Sequence, residues 1–200
     1  MPTTALHGRA SAPAAPTDTR EWVALLARYR EPSGWRSAWE IVVTAFPFFG
    51  LWAVAWWSVD ISYVLAAFVA ILNALFLVRL FAIQHDCGHA SFFRNRALSD
   101  WVGRAIGVLT LTPYDVWRRL HAAHHSTSGN LDQRGLGDVT TLTIAEQRPL
   151  PLRRRLGYRI YRHPLALFGI GPFYLFFLRN RLPHGLMRAG ARYWVSAMGT

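Results

Sequence analysis

The sequence predicts an all-α, polytopic membrane protein. The architecture is a transmembrane helical hairpin, then a cytoplasmic helical region rich in histidine, then a further partial membrane helix. Three observations carry this. Ile41 to Trp57 and Ile61 to Val78 are runs of seventeen and eighteen residues without a charge, each close to the ~20 residues that cross a ~30 Å hydrocarbon core. Only Ser58, Val59 and Asp60 separate them, which forces a tight antiparallel hairpin. Five of the eight histidines then fall in two short boxes, His85 to His89 and His121 to His125.

Composition sets the class. The chain has 200 residues, of which 52% are hydrophobic, and a net charge of +11 from basic residues that are all arginine. A basic chain can signal nucleic-acid binding. Here the arginines sit beside apolar runs, so anionic lipid headgroups are the expected partner and nucleic acid is not. Cys87 is the one cysteine, so no disulfide forms within the chain. It is expected to be a small buried hydrophobe rather than a ligand.

Residues 1–20 are rich in Ala, Pro and Thr without periodicity, and read as a disordered tail without a cleavable signal peptide. Residues 21–36 read as an amphipathic interfacial helix, with Trp22, Val23, Leu25, Leu26 and Tyr29 against Arg20, Arg28, Arg30 and Arg36, capped by Asp18. Residues 37–200 form the membrane domain. Its first span is 41–57, bent at Pro47 and Gly50, and its second is 61–83, with Asn73 placed to hydrogen-bond a neighbouring helix. Arg79 snorkels to the headgroups. The second span continues past it, which puts His85 roughly 9 Å beyond Arg79 along the helix axis. Gly88 costs helix stability, and close approach of another helix or a ligand would explain it.

Residues 99–111 are apolar but interrupted by Gly103, Arg104 and Gly107, and read as an interfacial or re-entrant helix capped by Ser99 or Asp100. Thr112, Pro113 and Asp115 predict the next helix start, with Thr112 as N-cap and Asp115 completing a capping box. That helix carries Trp117, expected to wall the site or, as the favoured reading, to anchor at the interface, and the second box. Thr143 and Glu146 predict another capping box on a short helix ending at Pro149 and Pro151. Arg153, Arg154, Arg155, Arg159 and Arg162 follow, placed for lipid phosphates. Residues 161–178 form an apolar membrane segment interrupted by Pro172, and 193–200 read as the start of another apolar helix. Five arginines before the first span and twelve within 84–164 put both boxes on the cytoplasmic side. Arg179, Arg181, Arg188 and Arg192 conflict with a simple crossing by 161–178, which is re-entrant or breaks that rule locally.

On a helix, residues three or four apart share a face. His85 and His89 therefore point together, as do His121, His124 and His125. Imidazole is the commonest protein metal ligand and suits iron, zinc, copper and nickel. Metal binding at these five residues follows. Asp86 is the candidate to orient a ligand imidazole by a hydrogen bond. His7 lacks such a pattern and reads as tail, and His163 and His184 stand alone, with an interfacial structural role favoured over that of an accessory ligand.

The pair His-Asp-Cys-Gly-His and His-Ala-Ala-His-His on a membrane hairpin resembles the integral-membrane fatty acid desaturases. The wording of the first box and the stretch Ser128 to Asp138 are similar to the acyl-lipid branch, which includes Δ12 (omega-6) and omega-3 desaturases. The resemblance covers about residues 35–200. It implies that His85, His89, His121, His124 and His125 are ligands of two non-haem irons. It also implies O2 as co-substrate, ferredoxin or cytochrome b5 as electron donor, and membrane lipid acyl chains as substrate. The family has a third box, which this chain lacks, so the chain is expected to be a fragment that binds iron substoichiometrically. Two other readings compete: a membrane di-iron hydroxylase or ketolase acting on alkanes or carotenoids, and a non-enzymatic bis-histidine haem protein.

Overall fold

The computed structural model describes residues 18–27, 31–134 and 139–200. Among them every regular element is helical. The chain divides into two units, residues 1–31 and 32–200.

In the first unit, α1 (Thr19–Ala27) exposes Trp22, Val23, Leu25 and Leu26. The main-chain N–H of Trp22 donates to the Asp18 carbonyl. The expected helix over 21–36 is corrected: residues 31–33 are not helical, and Trp35 and Arg36 belong to the next helix, while Arg28, Tyr29 and Arg30 lie outside the described residues.

The second unit opens with α2 (Gly34–Ser58) and α3 (Tyr63–Gly88), two antiparallel helices joined by four residues. Both are long and apolar enough to cross a membrane. Most of their apolar side chains are exposed, among them Phe46, Trp56, Tyr63 and Val64. Core helices of water-soluble proteins bury such surface, so the exposed apolar faces of this hairpin are suited to lipid. Ser62 caps α3 by accepting from the Leu65 N–H at 3.4 Å. Pro47 stands inside α2, which remains continuous. Arg79 pairs with Glu40 of α2, so the two helices share a charged level where the apolar stretches end.

Beyond that level α3 continues into the core. Phe48, Leu80, Ile83, Cys87, Phe92, Ile106 and Tyr114 are buried together. They come from α2, α3, the segment between α3 and α4 (Phe92), α4 (Arg96–Leu109) and α5 (Tyr114–Thr127). The start of α4 is corrected. Asn95 is the N-cap and accepts from the Leu98 N–H at 3.2 Å, so Ser99 and Asp100 lie within the helix. Ser99 instead faces inward and donates to the Phe93 carbonyl. Gly103 and Gly107 form the face that receives α5. A Cβ at Gly103 would stand 2.2 Å from the Tyr114 ring, and one at Gly107 would stand 2.6 Å from the Thr112 carbonyl oxygen.

The predicted capping box on α5 is also corrected. Pro113 occupies the N-cap position, and Thr112 turns its hydroxyl to the Thr110 carbonyl. Asp115 is recruited by arginines elsewhere. The reversal between α4 and α5 places Leu111 at φ +52°, a left-handed conformation that costs about 1–2 kcal/mol for a residue with a Cβ. Its carbonyl accepts from Asn180 Nδ2 at 3.0 Å and Arg181 Nη2 at 3.3 Å.

The capping box of Thr143 and Glu146 forms as expected on α6 (Ile144–Gln147). Pro151 precedes α7 (Leu152–Tyr161). Residues 161–178 are not one regular helix. Tyr161 ends α7, and a π-helix (Ala166–Ile170), one α-turn α8 (Gly171–Phe173) and a second π-helix (Tyr174–Leu178) follow. The helical part is shorter than a ~20-residue span. Helix α9 (Ala191–Met198) packs on α5 and buries Ala197.

Candidate metal centre

Two helix ends build the site. The last turn of α3 carries His85, and His89 follows as its C-cap. The second half of α5 carries His121, His124 and His125. Their alignment is fixed by buried polar contacts one turn back. Gln84, the residue before His85, is fully buried. Its Oε1 accepts from the Thr110 hydroxyl at 2.7 Å and its Nε2 donates to the Thr112 carbonyl at 3.2 Å. The base of the second box is thus tied to the base of the first.

Charged contacts set the angle of α5. Tyr114 Oη and Arg118 Nη1 donate to Asp100 Oδ1 at 2.8 and 2.7 Å. Burial alone would raise the Asp100 pKa. The hydrogen bonds from Tyr114 and Arg118, with the charges of Arg118 and Arg96, outweigh it and hold the carboxyl below its ordinary value. Asp115 is buried and takes a two-pronged contact from Arg104 at 2.9 and 3.1 Å. Arg192 of α9 donates to the same carboxylate at 3.0 Å. Planar guanidinium–carboxylate pairs of this kind fix orientation as well as distance.

The result is a cluster of four imidazoles. One ring nitrogen from each of His85, His89, His121 and His125 lies within 4.8 Å of the others. His121 is its centre: its Nε2 is 3.2 Å from His89 Nε2 and 3.0 Å from His125 Nε2. His85 closes the group from α3, its ring centroid 4.8 Å from that of His121. His124, the fifth predicted residue, stands at the side. Its ring is 6.0 Å from His121 and 5.7 Å from His125, centroid to centroid. Burial, then the neighbouring imidazoles led by His85 and His125, push the His121 pKa down to about 4. The ring is therefore neutral at pH 7, with a lone pair available to a metal.

The surrounding residues sort clearly. Asp86 Oδ1 lies 3.3 Å from His85 Nδ1, where it can orient that ring. Cys87 is fully buried in the core and is outside the four-residue group. Trp117 takes the first of its two expected roles, as a wall of the site. It stacks on His121 with centroids 4.5 Å apart and planes 17° apart, lies 5.8 Å from His85, and meets the edge of Phe81. It walls the cluster. Gly88 is explained by the same contact, because a Cβ there would lie 2.7 Å from Trp117 Cζ3. His163 and His184 are exposed and outside the cluster, and His7 lies outside the described residues.

Sequence reasoning missed Gln84, Asp100, Tyr114, Arg104 and Arg192. One signal was present: Gln84 is a lone uncharged polar residue between an apolar run and a histidine box. The i,i+4 spacing of Arg96 and Asp100 was a second, and they pair at 3.3 Å.

The profile of the fatty acid desaturase family matches residues 61–199. A fatty acid desaturase of Bacillus subtilis (strain 168) is 43% identical over 156 residues, covering 78% of this chain and 44% of that protein. An sn-1 acyl-lipid omega-3 desaturase (ferredoxin) of Synechocystis sp. is 38% identical over 69 residues, 34% of this chain and 18% of that protein. An sn-1 oleoyl-lipid 12-desaturase of Arthrospira platensis is 32% identical over 96 residues, 48% of this chain and 26% of that protein. The matched segment thus covers less than half of each relative's length. No solved structure matches the chain.

Proposed function

Because the chain belongs to the fatty acid desaturase family, we propose that His85, His89, His121, His124 and His125 hold non-haem iron in a protein that desaturates membrane lipid acyl chains. The observation that carries this is the convergence of four imidazole nitrogens within 4.8 Å at the far end of an apolar hairpin.

The donors fit the metal. The ring nitrogens of His125 and His89 lie 3.0 and 3.2 Å from His121 Nε2, close enough for these residues to hold one ion together. All the donors are imidazoles, which suit iron. With two electrons from an external donor and two protons, the two irons implied by the resemblance would supply the O2 activation, so that two hydrogens leave an unactivated methylene pair, a cis double bond remains and O2 ends as water.

The residues of this chain have defined tasks in that scheme. His121 stays neutral and accepts the metal without first losing a proton. Asp86 orients His85, and Trp117 blocks one side of the cluster from solvent. Gln84 keeps the two boxes in register. The hairpin sets the centre just beyond lipid, so an acyl chain reaches it without leaving the bilayer entirely. The arginine distribution supports a cytoplasmic location for the boxes, where a ferredoxin or cytochrome b5 donates electrons. The omega-3 and oleoyl-lipid 12-desaturase relatives support a Δ12 (omega-6) or omega-3 position on a C18 chain.

Expressing the intact reading frame in a host of defined fatty acid content, then analysing methyl esters by gas chromatography, tests this. A new cis-unsaturated C18 species is expected. Its absence, or a hydroxylated product in its place, would contradict the proposal.

A further inference from the structure

Helix α7 (Leu152–Tyr161) has a face that the metal centre does not use. Tyr158 and Tyr161 turn toward the chain before it: Tyr158 Oη accepts from the Leu142 N–H at 3.0 Å, and Tyr161 Oη accepts from the Thr140 N–H at 3.1 Å. These bonds fix which side of α7 faces the protein. Leu152, Leu156 and Ile160, spaced four residues apart, lie on the opposite side. They are 78%, 55% and 60% exposed. Helical spacing puts Arg153 on one flank of this stripe and Arg155 and Arg159 on the other, with Arg162 at the C-cap.

The chain around the helix is basic, and Glu146, the nearest acidic residue before it in sequence, is held by Arg134. From residue 147 to residue 200 the chain has ten arginines and no acidic residue. Among the described residues, Arg153, Arg154, Arg155, Arg159 and Arg162 make no ion pair. Arg96, Arg104, Arg118 and Arg192 show what this chain does when an arginine has a structural partner: each pairs with Asp100 or Asp115. The arginines of α7 are charge without an internal counterpart, on both sides of an apolar stripe. An apolar stripe with cationic flanks fits the boundary between acyl chains and anionic headgroups.

We infer that α7 is an interfacial helix that docks on anionic phospholipid, with Leu152, Leu156 and Ile160 seated among acyl chains and Arg153, Arg155 and Arg159 on headgroup phosphates. The inference goes beyond the proposed reaction and holds whether or not the histidines carry iron. It assigns the helix a preference among lipids, not only a place in the protein.

Hydrogen–deuterium exchange of the purified protein in nanodiscs tests it. One set of discs is phosphatidylcholine alone, and the other adds phosphatidylglycerol. Exchange over residues 152–161 is expected to slow in the anionic discs, by about fivefold for each arginine seated on a phosphate. Raising the salt toward 1 M, where the screening length is about 3 Å, should abolish the difference. So should the triple variant Arg153→Gln, Arg155→Gln, Arg159→Gln, while exchange in α3 and α5 stays as in the parent and reports that the protein is folded. Equal exchange in the two lipids would overturn the inference. So would strong protection insensitive to salt and to the triple variant, which would mean that protein rather than lipid covers the stripe. Iron content measured on the same samples keeps this result separate from the metal proposal.

Discussion

Gln84 shows what one side chain contributes to the site. It has no exposed surface and satisfies both ends of its amide, on the Thr110 hydroxyl and the Thr112 carbonyl. Gln84→Leu keeps approximate size but strands both partners in the interior. Leaving a buried donor or acceptor unpaired costs about 1–3 kcal/mol each. The variant is expected to lose about that much stability in chemical denaturation and to bind less iron at equal metal concentration, because His85 and the root of α5 are no longer in register. Unchanged stability together with unchanged iron content would remove Gln84 from the account. At this scale the histidines were legible because helical spacing converts directly into a shared face. Trp117 was not, since interfacial anchoring and stacking on His121 draw on the same aromatic ring, and only the partner distinguishes them. The Gly88 expectation of close approach was met, and its partner is that same Trp117.

Elements were legible where they depend on neighbours in sequence and obscure where they depend on distant charge. The hairpin follows from two uncharged runs and a short link. The capping box of α6 follows from Thr143 and Glu146 three residues apart, and it forms. The start of α5 did not follow the same logic, because Asp115 is claimed by Arg104 and Arg192, eleven and seventy-seven residues away. Glu146 offers a test at this scale. Arg134 Nη2 donates to its Oε1 at 2.6 Å and the Thr143 N–H donates to its Oε2 at 2.7 Å. The Arg134 hydrogen bond first, then those from Thr143, lower its pKa from 4.5 to about 2. A depressed folded-state pKa stabilises α6 fully above the unfolded value and is lost as pH falls through the folded one. The cap and the Arg134 link should therefore persist at pH 4 and fail as pH falls toward 2. The carboxyl carbon of Glu146 followed by NMR should titrate near 2, whereas a midpoint near 4.5 would mean that the link does not form in solution.

At the scale of the molecule, the apolar hairpin and the histidine cluster belong to one design. The hairpin is mostly exposed where it is apolar, and past the Glu40–Arg79 level α4 and α5 cover α3. The metal candidates sit at that covered end. The all-helical architecture and the two long apolar helices were legible from composition and run length alone. The distorted segment after α7 was not, because Pro172 and the glycines Gly169 and Gly171 forecast interruption without specifying two π-helices around one α-turn. The central claim, that the four-imidazole cluster holds iron, is tested most directly by elemental analysis of the purified protein against two variants. His121→Ala removes the nitrogen that faces both His89 and His125 and should strip most of the iron, while His163→Ala, at an exposed histidine outside the cluster, should leave it at the parent level. Parent-level iron in His121→Ala, or a haem Soret band in the parent protein, would contradict the account.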